Sequence, residues 1–499
     1  MKHLKIRSLL LAALLLSFTS SWAGELPQPK GSYLVKTADE FNEAAKHAQP
    51  GEEIVLAKGN WSDMELKVKA NGQEGNMIYI RGEAPGETII DGTTQIRIGG
   101  DYIYMYNLSF AGCVATSPKQ KGAIILFRAD SEDESHHSVL SDCHFDSCVP
   151  EDKSFDDVWV NLYGTHNTVQ RCYFGGKDNK GLYIVVWHRN DKADYHTIRQ
   201  NYFYRPESVN NGENGQEIIR IGDSNNSLTD ASCIIEDNFF YRCNGEVEIL
   251  SIKSGDNTIR RNTFVECQGA VTLRHGNYNT VEGNFFLANG VEEAGGVRVI
   301  NKGHKVYNNY FYGHVADRTR TPISIMRGVE NGALNTYNQV EDAEIYNNTM
   351  VNCKNNFSFS VVGKNTTLHP INTTIGSTIV VTDRCDIDEL IDDNGGDVSG
   401  ITFVDCHLEG RDGVAKGKGY IESKYDSEEM TIAGVTFPLI RAKSKAQSPS
   451  FIATDIAGKS RKGDSPIGAS SSFKATKAAK IATPDNCGPT TWSGWNKPL

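Results

Sequence analysis

The chain has 499 residues with 62 acidic and 51 basic side chains, a net charge of -11 at pH 7. This balance argues against nucleic-acid binding, which calls for a basic surface, so a polyanionic ligand would need a local basic strip or a bound cation. Recurring β-branched and aromatic residues predict little helix, and the length allows a large core.

The first 23 residues have the pattern of a secretory signal peptide. Lys2, Lys5 and Arg7 supply positive charge, Leu9 to Phe18 are mostly apolar, and Ser21-Trp22-Ala23 is a cleavage site. The apolar run is too short for a membrane span, and no later segment approaches the required length. Cleavage removes three positive charges, so we predict a periplasmic or secreted protein of net charge about -14.

A short capping helix is predicted at about residues 38–48, with Asp39 as its N-cap. Its apolar face consists of Phe41, Ala44, Ala45 and Ala48. Such a helix would cover the open edge of the first sheet that follows.

A repeated motif, aliphatic-x-x-Asn/Cys-x-Phe, then recurs along the chain. It occurs as LSDCHF (140–145), VQRCYF (169–174), IRQNYF (198–203), IEDNFF (235–240), IRRNTF (259–264), VEGNFF (281–286), VYNNYF (306–311) and IYNNTM (345–350). Successive motifs are 22 to 39 residues apart, a minimum length with variable loop insertions. Because one turn cannot bury its own face, stacking must supply the core. We therefore predict an all-β fold, a single right-handed parallel β-helix.

This domain is predicted to extend from residue 24 to residue 470, with strand-like units up to about residue 440 and a closing segment at 454–469. The tail, 471–499, follows; residues 470–480 are expected to be loosely ordered, with Trp492 and Trp495 docked outside. The motif asparagines should form a hydrogen-bonded ladder. Seven of the eleven cysteines fall at fixed repeat phases (113, 143, 148, 172, 243, 267 and 353), which predicts an inward stack; one or two disulfides remain an alternative.

Polar residues between Asn214 and His275 are the candidate site. Glu246 and Glu248 are two apart in a predicted strand, so they face outward together and repel unless a cation lies between them. Asn214, one repeat earlier, could add an amide oxygen. Oxygen ligands alone favour Ca²⁺. The alternative is a solvated acidic face.

Lys253 follows Glu248 closely, and Arg274 lies one repeat later. Near a metal and an arginine, the pKa of Lys253 should fall, which would make it a general base. Arg274 stays protonated and suits binding of a carboxylate or a leaving oxygen, and His275 could assist it. A surface lysine and a structural histidine are the alternatives.

The order Asn214, Glu246-x-Glu248, Lys253, Arg274-His275 resembles polysaccharide lyase family 6, the family of chondroitinase B and alginate lyases. IRIG after the asparagine, Ile-Lys-Ser, and Arg-His-Gly match as well, and the likeness covers residues 33 to about 350. It implies β-elimination of an acidic polysaccharide. In that family Ca²⁺, here held by Asn214, Glu246 and Glu248, neutralises the uronate carboxylate; Lys253 takes the C5 proton, and Arg274 is the general acid toward O4, directly or through water.

The resemblance also implies that Arg320 binds substrate. Arg298 and Arg327, from neighbouring turns, and His275 are further substrate-binding candidates, with solvent exposure as the alternative for the arginines. Chondroitinase B would have an aromatic residue at Ile300, and no arginine pair suggests a sulfate clamp. These departures favour the unsulfated polyuronate alginate. We also predict a preference for mannuronate-containing blocks, endo action because no obvious insertion blocks the end of the groove, and a monomer.

Three alternatives stay open. A dermatan sulfate lyase would use the same machinery with a different cleft. A β-helix hydrolase would need two carboxylates flanking the scissile bond and no metal. A non-catalytic glycan-binding β-helix would use the fold without the chemistry.

Overall fold

The computed structural model describes residues 28–119, 122–189, 192–209, 214–492, 494–495 and 497–499. The predicted signal peptide, residues 1–23, lies outside these residues. The described chain winds through successive turns, and each full turn adds one strand to each of three sheets. The strands of successive turns pair in parallel. The predicted parallel β-helix is therefore confirmed.

The three sheets run along the coil axis. Sheet A has 14 strands among the described residues: Gly31–Val35, Glu52–Leu56, Ile78–Gly82, Ile103–Tyr106, Val139–Ser141, Thr168–Gln170, Thr197–Arg199, Ile234–Glu236, Thr258–Arg260, Thr280–Glu282, Lys305–Tyr307, Glu344–Tyr346, Thr373–Gly376 and Ile401–Val404. Sheet B contains Gly59–Ser62, Thr88–Asp101, Ser109–Ala115, His144–Asp146, Tyr173–Gly175, Tyr202–Tyr204, Phe239–Tyr241, Thr263–Val265, Phe285–Leu287, Tyr310–Tyr312, Thr349–Val351, Ile379–Val381, His407–Gly410 and the antiparallel Gly413–Val414. Sheet C contains Glu65–Lys69, the shared strand Thr88–Asp101, Ile125–Leu126, Asp157–Leu162, Gly181–Val186, Ile219–Ile221, Glu248–Lys253, Gly269–His275, Ala294–Val299, Ile323–Met326, Phe357–Val361 and Ile391–Asp392, and Ser135–His136 also pairs with the shared strand.

The repeat phenylalanines stack inside the coil. Phe240, Phe264 and Phe286 occupy consecutive turns with ring centroids 4.6 and 4.7 Å apart, and all three are buried. This separation equals the spacing between neighbouring strands, so one ring per turn fills the core without gaps.

The motif asparagines form the predicted ladder. The backbone N–H of Asn238 donates to the side-chain oxygen of Asn262 at 3.0 Å, and that of Asn262 donates to Asn284 at 2.9 Å. The Asn262 amide also donates to the Ile235 carbonyl at 2.9 Å. The ladder thus satisfies buried backbone groups where the chain turns between sheets A and B.

The cysteines follow the same logic. The described residues include all eleven of them, and each is free and buried. The seven cysteines at fixed repeat phases all belong to the core inside the coil, as predicted, whereas Cys487 packs in the separate apolar cluster of the C-terminal segment. The disulfide alternative finds no bonded pair among the described residues.

The predicted capping helix spans Ala38–His47. Its N-cap is Thr37, whose hydroxyl accepts from the Glu40 N–H at 3.2 Å. The prediction of Asp39 as N-cap was wrong, because the helix begins at Ala38 and Asp39 lies in its first turn. Phe41 and Ala45 are buried, so the helix covers the first turns as expected.

The parallel strands end at His407–Gly410, about 30 residues before the position predicted from the sequence. An antiparallel hairpin follows, Tyr425–Ile432 with Val435–Ala442, then the strand pair Lys445–Gln447 and Asp464–Pro466. The expectation of loose order at residues 470–480 was also wrong, because the helix Phe473–Ala478 forms there.

This C-terminal segment packs on the outer face of sheet B. Trp495 is buried there, its ring 5.0 Å from that of Tyr173, which confirms the predicted docking of the tryptophans. The division of the chain at residue 470 stays a prediction. Short 3₁₀ helices lie at Arg318–Arg320 and Ile387–Glu389. No helix in the described part of the chain is long and apolar enough to cross a membrane.

Candidate active site

Two adjacent strands of sheet C, Glu248–Lys253 and Gly269–His275, carry most of the predicted site. Their parallel register shifts between Ile252 and Lys253, so Lys253 pairs with His275 and Arg274 is the extra residue of a bulge. A bulge redirects side chains locally. Here it brings Arg274 toward Glu248 on the neighbouring turn.

An acidic cluster lies beside these strands and consists of Glu217, Glu246 and Glu248. All three are buried, and one carboxylate oxygen of each lies within 4.8 Å of the others. One Glu246 oxygen accepts from the N–H groups of Gly215 at 2.6 Å and Gln216 at 3.2 Å. Among the described residues, the other Glu246 oxygen and one Glu217 oxygen are buried without a hydrogen-bond partner. Such orphaned oxygens fit a hard cation.

The electrostatics of the cluster agree with that fit. Burial raises the pKa of Glu246 to about 8, and the charges of Glu217 and Glu248 contribute to the shift. A buried carboxyl group next to two others is costly to ionise unless a positive charge joins them. The cluster therefore has a strong preference for either a proton or a cation.

Glu248 is already paired on its other side. It accepts from the Ser251 hydroxyl at 2.5 Å and from Arg274 at 2.6 Å, and Arg298 lies 3.5 Å away. Burial alone would raise the pKa of Glu248, but Arg274 and Arg298 hold it below its ordinary value. Glu248 thus links the acidic cluster to the basic residues.

Lys253 lies between the cluster and solvent, with 17% of its side chain exposed and its ammonium nitrogen 3.9 Å from Glu217. Burial lowers its pKa below the ordinary value; two nearby arginines add to this shift and two acids oppose it. In contrast, although burial opposes it, the Glu248 carboxylate raises the pKa of Arg274. Lys253 is therefore the group that can lose a proton, and Arg274 stays charged.

Tyr337 was not anticipated from the sequence. It belongs to the long insertion after Phe311, and its ring lies 5.4 Å from the Arg274 guanidinium and 5.2 Å from that of Arg298. Its hydroxyl accepts from Arg298 at 3.0 Å. The ring therefore stacks against both arginines and limits their movement.

The remaining predicted residues differ in their surroundings. His275 is buried, its Nε2 is 3.4 Å from the Ser224 hydroxyl, and burial together with Arg274 lowers its pKa to about 4, so it is neutral near pH 7. Arg320 pairs with Glu293. Arg327 donates to the backbone carbonyls of Ser360 at 2.8 Å and Asn394 at 3.3 Å. Their roles in substrate binding stay predictions.

Cavities open on both sides of Lys253. One, of about 220 Å³, is lined by Asn214, Glu217, Lys253 and Arg220, together with Lys119, Lys180 and Trp187. The other, of about 480 Å³, is lined by Arg274, Arg298, Tyr337 and Lys364. Basic side chains thus continue in both directions from the acidic cluster, the local basic strip that an acidic chain needs for a polyanion.

Glu217 was also missed, although the repeat contains its signal. Ile219 pairs with Leu250 in the parallel register. Counting two residues back from each places Glu217 at the phase of Glu248. An alignment of the repeats by their sheet C strands, in addition to their phenylalanines, would have found it.

The fold and the site together give the general class of the protein. It is a parallel β-helix with a groove on sheet C that is lined by the acidic cluster and by basic side chains on both sides of it. The family model for Chondroitinase B matches residues 35–384 of the chain. Because the match covers more than half of the sequence, the chain belongs to this family.

Solved structures extend the comparison. The chain is similar to AlyGC, described as a PL6 family alginate lyase, with 32% identity over 93% of this chain and a TM-score of 0.76; a variant of AlyGC gives 34%, 94% and 0.79. It spans 59% of the length of AlyGC. A mannuronic acid specific polysaccharide family 6 lyase from human gut microbiota is 29% identical over 76% of this chain and 86% of its own, with a TM-score of 0.67. A comparison with curated proteins gave no match.

Proposed function

We propose that the protein is an exported polysaccharide lyase that cleaves alginate by cation-assisted β-elimination. The observation that carries the proposal is the meeting of Lys253 and Arg274 with a buried acidic cluster whose oxygens lack partners. A proton-accepting amine, a permanent cation and an oxygen-rich cation site are the groups that elimination next to a carboxylate requires.

Glu217, Glu246 and Glu248 would hold the cation, and Asn214, which lines the same cavity as Glu217, would add an amide oxygen. Ca²⁺ fits this oxygen-only set. When bound, it would neutralise the uronate carboxylate and make the neighbouring C5 proton more acidic. Glu217 extends the set of ligands predicted from the sequence.

Lys253 would take the C5 proton. The electron pair of the C5–H bond forms the C4–C5 double bond while the C4–O4 bond breaks and its electrons leave with O4. Arg274 would fill the general-acid role toward O4 through a water. Because the ion pair with Glu248 raises the pKa of Arg274, the water that Arg274 polarises supplies the proton to O4, and the hydroxide left behind takes up the proton that Lys253 removed from C5. The lowered pKa of Lys253 supports its role as the base.

Alginate is the proposed substrate because the basic side chains on both sides of the acidic cluster suit a polyanion and AlyGC, to which the chain is similar, is described as an alginate lyase. The similarity to a mannuronic acid specific lyase supports a preference for mannuronate-containing blocks. Cavities on both sides of Lys253 support endo action. Arg298, together with Arg320, Arg327 and His275, is proposed to bind the substrate, and the signal pattern supports export.

The test is absorbance in the near ultraviolet on alginate, where the new double bond absorbs. We expect a rise that EDTA abolishes and added Ca²⁺ restores. Lys253→Ala should lower the rate by about 10²- to 10⁴-fold, the usual contribution of a general base. Lys364→Ala, a lysine in the second cavity away from the acidic cluster, is the matched control and should retain kcat.

Different failures would point to different corrections. New reducing ends without absorbance would indicate hydrolysis and reject the lyase. A rise that ignores EDTA would keep elimination and remove the cation. If dermatan sulfate were cleaved and alginate were not, the substrate assignment would be wrong; silence on both would favour glycan binding without catalysis.

A further inference from the structure

Arg205 is a fully buried arginine beneath the acidic cluster that the proposed chemistry does not use. Its relative exposure is 0%. Its guanidinium donates to three backbone carbonyls, those of Gly181 at 2.8 Å, Gln216 at 3.0 Å and Asn179 at 2.7 Å. No carboxylate among the described residues forms an ion pair with it. Because a buried charge costs several kcal/mol unless it is well solvated by the protein, these carbonyls must be held in place around it.

The three carbonyls belong to neighbouring turns. Asn179 and Gly181 begin one strand of sheet C, whereas Gln216 lies inside the segment 214–217, which carries one cation-ligand candidate at each end. The Gly181 N–H donates to the Gly215 carbonyl at 2.7 Å. The guanidinium of Arg205 therefore holds segment 214–217 against the preceding turn, in addition to the main-chain hydrogen bond between Gly181 and Gly215.

The same segment orients Glu246. The N–H groups of Gly215 and Gln216 donate to one Glu246 oxygen, which leaves the other oxygen for the cluster. On the neighbouring turn, the Asn244 N–H donates to the Arg205 carbonyl at 2.8 Å. Arg205 thus contacts both chain segments whose carboxylates meet at the cluster.

We propose that Arg205 is a positioning residue for the cation site: its fork fixes segment 214–217, with Glu217 and the two N–H groups that orient Glu246, against the preceding turn. The inference rests on the proposed function, because it concerns the same cation. Outer groups that orient metal ligands typically contribute about 10- to 100-fold in affinity. Removal of the fork should weaken Ca²⁺ binding by that factor. The chemistry of Lys253 and Arg274 should be intact once the site is filled.

The chain offers a matched control in Arg461. It is also buried and donates to the carbonyls of Pro466 at 2.8 Å and Ala469 at 3.1 Å. It lies in the C-terminal segment outside sheet B, whereas the cation site is on sheet C. Arg205→Lys and Arg461→Lys both keep a charge and lose a fork, so both should lower the melting temperature.

The experiment is calorimetric titration of CaCl₂ into EDTA-stripped protein, with lyase rates measured against calcium concentration. For R205K we expect the calcium dissociation constant to rise by at least about 10-fold and the rate to recover at high calcium. R461K should change the constant less than two-fold. Equal changes in the two variants, or an unchanged constant in R205K, would overturn the inference while the proposed function stands.

Two further outcomes are decisive. If the wild-type protein binds no calcium, the cation role and this inference fall together, whereas elimination itself is judged by absorbance. If R205K does not fold, Arg205→Gln is titrated in its place, because glutamine keeps one amide donor toward the carbonyls and removes the fork. An unchanged calcium constant in R205Q would also reject the inference.

Discussion

Calcium binding should release a proton, because the acidic cluster holds one when no cation is present. The pKa of Glu246 is raised to about 8, so about 0.9 of the molecules carry that proton near pH 7 and about 0.1 near pH 9. A carboxylate must lose its proton to ligate a metal. We therefore expect about 0.9 protons released per calcium at pH 7 and about 0.1 at pH 9.

The affinity should change in the same sense. Below the pKa of Glu246, proton and cation compete for one group, so the apparent affinity should fall about ten-fold per pH unit. From the pKa of about 8, binding near pH 6 should be about 100-fold weaker than at high pH.

The assay is titration calorimetry in buffers of different ionisation enthalpy, whose slope counts the protons released. Glu246→Gln is the perturbation that isolates the source, since glutamine keeps the shape and cannot carry the proton. Its calcium affinity should be lower and its proton release small at every pH. A release that is independent of pH between about 7 and 9 in the wild-type protein would refute the reasoning, because no group of the cluster would then titrate in this window.

Three further outcomes are expected. The pKa of Glu246 is higher in the folded protein than in the unfolded chain. In the absence of calcium, its contribution to stability is therefore greatest below about pH 4.5 and falls as the pH rises to about 8. Melting temperatures measured with EDTA should show this loss in the wild-type protein and not in E246Q. Asn262→Ala leaves the buried Asn238 N–H without its acceptor and should cost about 1–3 kcal/mol by denaturant unfolding, whereas Asn225→Ala, at an exposed position, should cost less than about 0.5 kcal/mol; equal costs would contradict the ladder. Tyr337→Phe removes the acceptor of Arg298 but keeps the ring, so KM for alginate should rise about two- to ten-fold with kcat nearly unchanged; a selective loss of kcat would instead place the hydroxyl in the chemistry.

The repeat phenylalanines and asparagines predicted the architecture because both obey a strictly local rule. Each turn must place an aromatic ring inside and an amide at the corner, so the period is visible without knowing any long-range contact. The end of the coil was not predictable in this way. The hairpin Tyr425–Ile432 and Val435–Ala442 also reads as strands in the sequence, and its antiparallel pairing and its packing on sheet B depend on contacts between distant residues.

The residues of the candidate site also fall into two groups: those that a local sequence pattern or a resemblance predicts and those that only long-range contacts reveal. Glu246 and Glu248 could be predicted to share a face because side chains two apart in a strand point the same way, whereas Lys253 and Arg274 received their roles from the family resemblance. Tyr337 reaches the two arginines from an insertion with no repeat phase. Arg205 acts through backbone carbonyls of other turns.

By itself, therefore, the sequence determined the parallel coil, the face that carries the polar residues and the chemical types gathered on it. These follow from periodicity, which is a property of neighbouring residues. The tertiary structure alone decided that Glu217 completes the acidic cluster, that a bulge directs Arg274 onto Glu248, and that burial moves the pKa values of Glu246 and Lys253 in opposite directions. The cluster, the contact of Arg274 and the pKa shifts depend on the distances between turns and on the loss of solvent around each charge. Neither quantity can be read from the order of residues.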